Sequence, residues 1–234
     1  MQFPGAMPRI FLLATAAAAL LAACDRPLDF TQPAAPANPT AVLGGYGSGP
    51  RSAASAPLTD GRGQAIPLPR LPRNTTAQLA RLGPDGALAA WVQDDHVVAA
   101  SYAPGTGWTA PQPLERIYGQ SSDPQLASDG RGTAMAIWRH TVGSIESLRY
   151  SRFEQATGWS PPDVMPGALP RPRPPGIDAA RQAAPQLRMD ADGNAWAEWP
   201  SGFDDGELQS ARYVVGQGWT RAISEPMTAS GAAR

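Results

Sequence analysis

A frame of alanine and tryptophan residues recurs three times along this chain, and few folds can accommodate it. Leu79 leads to Trp91, Leu126 to Trp138 and Leu187 to Trp199, each pair separated by 12 positions. A second tryptophan follows each of these behind a glycine, as Gly107-Trp108, Gly158-Trp159 and Gly218-Trp219. An aromatic stands six positions before each second tryptophan: Tyr102, Phe153 and Tyr213. Within a frame the apolar period is two, which predicts strands rather than helices. In Thr133–Trp138, Ala134, Ala136 and Trp138 fall on one face and Met135 and Ile137 on the other. Both faces are apolar, as in an inner strand covered on both sides. Ala87, Ala89 and Trp91, and Ala195, Ala197 and Trp199, repeat the arrangement. Two small residues and a terminal tryptophan on one face predict a tapered sheet that stacks closely on its neighbour.

The turns agree. Asp129-Gly130-Arg131-Gly132 and Asp190-Ala191-Asp192-Gly193-Asn194 read as hairpin connections, with glycine or asparagine available for positive φ. The first repeat carries Leu82-Gly83-Pro84-Asp85-Gly86 instead. Third strands are expected over 97–102, 148–153 and 208–213, and each Gly-Trp opens a short fourth. Each repeat is then an antiparallel meander, and the spacing of 47 and then 61 residues between core tryptophans suits propeller-type repeats.

The pattern Pro-Gln-Leu, Asp, Gly, Ala-x-Ala-x-Trp and Gly-Trp resembles the repeats of bacterial β-propeller and sialidase-like surface proteins. Trp138 comes six residues after Gly132, where a strict Asp-box would close on an aromatic about three after its glycine, so the likeness is to the propeller superclass. The expectation is an all-β domain over 71–228, with repeats at about 72–118, 121–168 and 182–227 and a short tail over 229–234. Three repeats fall short of the four that a closed propeller usually needs. Two chains completing one ring, end repeats that cap themselves, or a partner on the open edge would each answer the deficit.

Upstream, Arg9 precedes an apolar run from Ile10 to Ala23, too short to span a bilayer and suited to a signal peptide over 1–23. It ends in Leu21-Ala22-Ala23-Cys24, which resembles the lipobox of bacterial lipoproteins and implies acylation of Cys24. Cys24 is the only cysteine, so no intrachain disulfide is possible and the fold rests on its core. The likeness implies a lipid-anchored protein of the bacterial cell envelope, facing the periplasm or exposed at the surface, with inner or outer membrane left open. Residues 24–70, rich in Ala, Pro, Gly and Ser, read as a disordered tether reaching roughly 40 Å from the anchor. Gln64–Leu68 is the one stretch there that could add a short edge strand. Pro170-Arg171-Pro172-Arg173-Pro174-Pro175 reads as a solvated polyproline connection.

All 19 basic residues are arginine and the net charge is -1, so no basic patch recruits nucleic acid. His96 and His140 occupy different offsets in their repeats and read as exposed turn residues rather than metal ligands. Asp190 occupies the place of Asp129, which favours a backbone-bonding turn over a calcium loop. No cofactor motif or serine elbow is present. A sialidase-like enzyme would need clustered arginines beside a tyrosine, for which Arg149, Arg152 and Tyr150 are the candidates. Trp196 replaces Leu88 and Met135 of the other repeats and, with Glu198 on its own face, is the tryptophan placed for binding. The leading reading is a lipid-anchored binding or assembly protein that self-associates or takes a protein or glycan partner. A glycoside-processing enzyme and a purely structural envelope component are the alternatives.

Overall fold

The structure, a computed structural model, describes residues 41–42, 58–168, 171–172, 183–200 and 207–226. The signal segment, Cys24, most of the tether, the Arg-Pro run apart from Arg171-Pro172, and the C-terminal tail lie outside the described residues. What is described is all-β and forms three antiparallel sheets of similar size.

Sheet I contains β1 (Ala41–Val42), β2 (Ala77–Leu82), β3 (Gly86–Gln93), β4 (His96–Ala103), β5 (Gly107–Trp108) and β6 (Gln112–Pro113). Its order is β1-β2-β3-β4-β5, and β6 also pairs with β4. Sheet II contains β7 (Gln120–Ser128), β8 (Thr133–Val142), β9 (Ile145–Glu154), β10 (Gly158–Trp159), β11 (Asp163–Val164) and β12 (Arg171–Pro172). Its order is β10-β9-β8-β7, with β11 and β12 also on β9. Sheet III contains β13 (Gln186–Met189), β14 (Ala195–Pro200), β15 (Glu207–Val214), β16 (Gly218–Trp219) and β17 (Ile223–Pro226), ordered β13-β14-β15-β16 with β17 also on β15.

Register explains the spacings. Leu79 pairs with Ala89, Leu126 with Ala136 and Leu187 with Ala197 across the first hairpin of each sheet. Tyr102 pairs with Trp108, Phe153 with Trp159 and Tyr213 with Trp219, so the six-residue interval is the path around one turn. The three ring pairs lie 5.5, 5.3 and 5.6 Å apart between centroids, in the tilted or edge-to-face range that favours aromatic packing.

The sheets pack face to face in chain order. Leu88, Ala90, Val97 and Ala99 of sheet I join Ala134, Ala136, Trp138 and Phe153 of sheet II in one core cluster. Met135, Ile137 and Leu148 on the other face of sheet II meet Ala195, Ala197 and Trp199 of sheet III. Each alanine face therefore receives the opposite face of the sheet before it. The core tryptophans Trp91 and Trp138 are fully buried and Trp199 nearly so. Their indole N–H groups are satisfied locally: Trp91 by Gln93 at 3.3 Å, Trp138 by Glu115 at 2.8 Å and Trp199 by Gln209 at 2.8 Å.

A further packing unit precedes sheet I, inside the stretch that composition assigns to the tether. Leu58 and Ile66 are buried against Ala87, with Tyr102 and Trp108 around them. Thr59 and Ala65 form a single antiparallel bridge, and Trp108 Nε1 donates to Pro67 O at 2.6 Å. Gln64–Leu68 thus pairs within its own hairpin, and the expected edge strand is reduced to that bridge. Asp60-Gly61-Arg62-Gly63 reproduces Asp129-Gly130-Arg131-Gly132 residue for residue. The geometry matches as well. Asp60 Oδ1 accepts from the N–H groups of Arg62 and Gln64, as Asp129 Oδ1 accepts from those of Arg131 and Thr133. Asp190 Oδ1 does the same for Asp192 and Asn194, which assigns this carboxylate to its turn. Six residues after each aspartate stand Ile66, Met135 and Trp196. Leu58–Leu68 is a fourth, truncated repeat that packs on Ala87, at one end of the outer alanine face of sheet I.

Two further features come from packing and strand edges. Ahead of the Arg-Pro run, Met165 and Ala168 are buried between sheets II and III, and Pro166 O accepts from Ala222 N at 2.9 Å. Pro124 within β7 and Pro185 immediately before β13 precede Gln-Leu, where sheet I has Ala77. Proline withholds an edge donor, and sheet I is the sheet whose first strand takes on an additional one, β1.

Candidate functional site

The four binding candidates do not converge. Tyr150 and Arg152 alternate on β9 and face sheet III. The Tyr150 ring meets Trp219 edge-on at 5.8 Å, and the Arg152 guanidinium lies 4.9 Å from the Tyr213 ring centre while Nη1 donates to Gly193 O at 3.3 Å. Arg152 is therefore a bridge between sheets II and III. Arg149 points to the opposite face, where its Nε lies 4.0 Å from Glu115 Oε2. Trp196 sits on the outer face of sheet III with Arg212 5.1 Å from its ring centre. Burial raises the Tyr150 pKa, with Asp163 and Tyr213 adding to the effect. That direction opposes use of its phenolate as a nucleophile. A shallow open depression of about 380 Å³ beside the Gly158-Trp159 turn includes Arg152, Glu154 and Trp159, but Arg152 Nε is already held by Glu154 at 3.3 Å.

The densest polar cluster is one that periodicity does not predict. Glu115, with no exposed side-chain surface, sits in the connection from sheet I to sheet II. Its Oε1 accepts from Trp138 Nε1 at 2.8 Å and from Ser121 Oγ, and lies 3.3 Å from His140 Nδ1. His140 is buried, contrary to the exposed turn position expected of it, because the β8–β9 hairpin continues past Trp138 and is covered by the residue 115–121 connection. Its Nε2 donates to Tyr118 O at 3.1 Å. Gly119 allows that approach: a Cβ there would stand 2.6 Å from His140 Nε2. Nearby, buried Arg139 reaches Asp123 and Glu146 at 3.5 Å each and donates to Ala183 O at 2.6 Å, tying the start of the third repeat to the second.

Serine, histidine and glutamate within hydrogen-bond reach suggest a hydrolytic triad, but the geometry is different. In a triad the base holds the serine with one ring nitrogen and the acid with the other. Here Ser121 and Glu115 crowd the same nitrogen, Nδ1, while Nε2 is held by a backbone carbonyl. Ser121, His140 and Glu115 are all at most 5% exposed, so no substrate reaches them. The cluster locks the joint between sheets I and II.

The most accessible chemically distinctive surface is the outer face of sheet III. Arg188, Trp196 and Arg212 stand directly opposite one another across β13, β14 and β15. The next row carries Gln186, Glu198, Ser210 and Ile223. Arg188 pairs with Glu198 at 3.0 Å. Trp196 is half-buried, while Arg212 and Ile223 are exposed. Among the described residues no group of three His, Cys, Asp or Glu side chains is placed to hold a metal, and no helix is long and apolar enough to cross a membrane. No protein-family model matches this sequence, and no curated protein matches it either.

Proposed function

We propose that this chain is a lipid-anchored protein of the bacterial envelope whose repeat array is an incomplete, propeller-like domain for binding or assembly. The array presents one broad sheet face that carries an arginine-flanked tryptophan, and this observation carries the binding reading. Arginine and tryptophan are the side chains that most often dominate protein interfaces, since both combine large contact area with a polar handle. The polar groups that would otherwise suggest catalysis are engaged in joining sheets. The anchor rests on Leu21-Ala22-Ala23-Cys24 behind its apolar run, and on Cys24 being the only cysteine. Acyl chains on Cys24 would hold the protein to a bilayer, since two lipid signals suffice for stable attachment.

Fractionation tests the anchor. Cys24→Ala moves the protein from the membrane to the soluble fraction, and persistence in membranes overturns this part of the reading. Binding at the outer face is tested by thermal shift against a glycan panel and envelope extracts. A rise in melting temperature that Trp196→Ala abolishes supports it. No rise with any addition leaves the structural-component reading in its place.

A further inference from the structure

We infer that the outer face of sheet III docks the N-terminal Asp60 hairpin of a second copy of this chain, so that copies assemble head to tail. This deepens the binding-and-assembly reading by naming the partner. It rests on one contact that the molecule already makes three times.

At each junction the side chain between or beside the paired alanine positions of one unit packs on the alanine face of the next. Ile66 packs on Ala87 and Leu88 belongs to the cluster of Ala134, while Met135 belongs to that of Ala195. An aromatic pair of the later unit completes each contact: Tyr102 with Trp108, Phe153 with Trp159, Tyr213 with Trp219. Among the described residues two surfaces are left at the ends of the series. At the tail is Trp196, which takes the place of Ile66, Leu88 and Met135. At the head are Ala65 and Pro67 of the hairpin, both exposed. By position these are the two halves of the same contact.

Their differences from the inner junctions are complementary. The hairpin has only two short arms and supplies no aromatic pair among residues 58–68, so a docked unit would meet a shallow apolar step. The tail supplies the missing aromatic as Trp196, the largest residue at that position in any unit. Arg152 shows what its counterpart Arg212 would do. Arg152 crosses to the carbonyl of Gly193, three residues after Asp190. Gly63 stands three residues after Asp60, has the same positive φ, near 80° as at Gly193, and is exposed. Arg212, now over its own Trp196, is placed to reach the Gly63 carbonyl of the second copy. Because the two surfaces differ, the contact is heterologous and extends to a ring or a chain of copies according to its rotation.

The test uses the full lipidated chain in density-matched detergent, followed by sedimentation across a micromolar concentration range. Wild type is expected to form dimers and larger species. Trp196→Glu blocks the tail and Ala65→Arg blocks the head, so each variant alone is expected to be monomeric. Both positions are at least partly exposed, and unchanged circular dichroism and melting will show that the sheets are intact. Mixed together, the two variants retain one good tail and one good head, and are expected to form a 1:1 dimer and nothing larger. Arg212→Glu should weaken wild-type association without unfolding. A monomeric wild type, association that survives Trp196→Glu, or a mixture that stays monomeric overturns the inference. A monomer that still binds another partner through Trp196 overturns only the second copy as partner and leaves the binding reading standing.

Discussion

Replacing Glu115 with alanine is expected to remove the polar lock that supplements the apolar packing of sheet I on sheet II. The carboxylate is wholly buried and accepts hydrogen bonds from the Trp138 indole at 2.8 Å and from Ser121. A buried charge-assisted hydrogen bond contributes about 1.5–3 kcal/mol, and a neutral donor left without its acceptor costs about 1–3 kcal/mol. Arg149, 4.0 Å from the other carboxylate oxygen, loses its nearest counter-charge, but at 20% side-chain exposure water compensates part of that loss. These terms add to about 2.5–6 kcal/mol, which brackets the range of about 3–5 kcal/mol found when one member of a buried ionic cluster is deleted. Against a domain stability of about 5–15 kcal/mol, that leaves a marginal fold. Glu115→Gln keeps an amide oxygen for the indole and is expected to cost about 1–2 kcal/mol. Urea unfolding followed by tryptophan fluorescence measures both. The specific claim concerns coupling. In a Trp138→Phe background the indole donor is gone, so Glu115→Ala should cost less than in wild type by about 1–3 kcal/mol. Equal costs in the two backgrounds, or a single-mutant loss under about 0.5 kcal/mol, would refute the account of the joint.

Two further expectations follow. Ile66→Asp places a carboxylate at a site 7% exposed against Ala87, and should lower stability by about 2–4 kcal/mol in the same unfolding assay. A residue in a free tether would give no change, and that result would remove the hairpin from the folded body. Tyr150 links stability to alkaline pH. Its folded-state pKa is raised above 10.0, so the folded chain holds that proton more tightly than the unfolded one. Stability is unaffected by this group at neutral pH, and falls as pH rises through the unfolded value toward the folded one. Tyr150→Phe should flatten that alkaline decline in pH-dependent melting, and an unaltered slope would deny the linkage.

The strands, their faces and the core tryptophans were legible because a repeated fold imposes the same steric demand at each repeat. Alanine is required wherever a neighbouring backbone comes close, and tryptophan wherever the taper opens, so each writes itself into the sequence three times. The joints between repeats carry no such signal. Glu115 in its connection, and Ser121 and Arg139 near the ends of β7 and β8, each act once, in contacts that depend on how two finished sheets meet. Arg152 and Arg212 occupy one repeat position yet differ in environment, since among the described residues Arg152 has a following sheet to cross to and Arg212 does not. His140 reads as a turn residue only while the second hairpin is assumed to be as short as the first.

The Asp60 hairpin shows the same limit from the other side. Its turn copies that of the second repeat letter for letter, but Pro67 stands where the second alanine should be, and the composition around it is that of a spacer. Proline breaks the alternation that marks a strand, while leaving the carbonyl that Trp108 needs. A unit reduced to one turn and two buried apolar side chains, Leu58 and Ile66, cannot bury a core of its own, so hydrophobic periodicity is silent about it. It becomes recognisable as a repeat only through what it covers. Among the described residues the array runs from a truncated unit to a full-sized tryptophan, so its two ends are specified by different residues although the same junction is repeated between them.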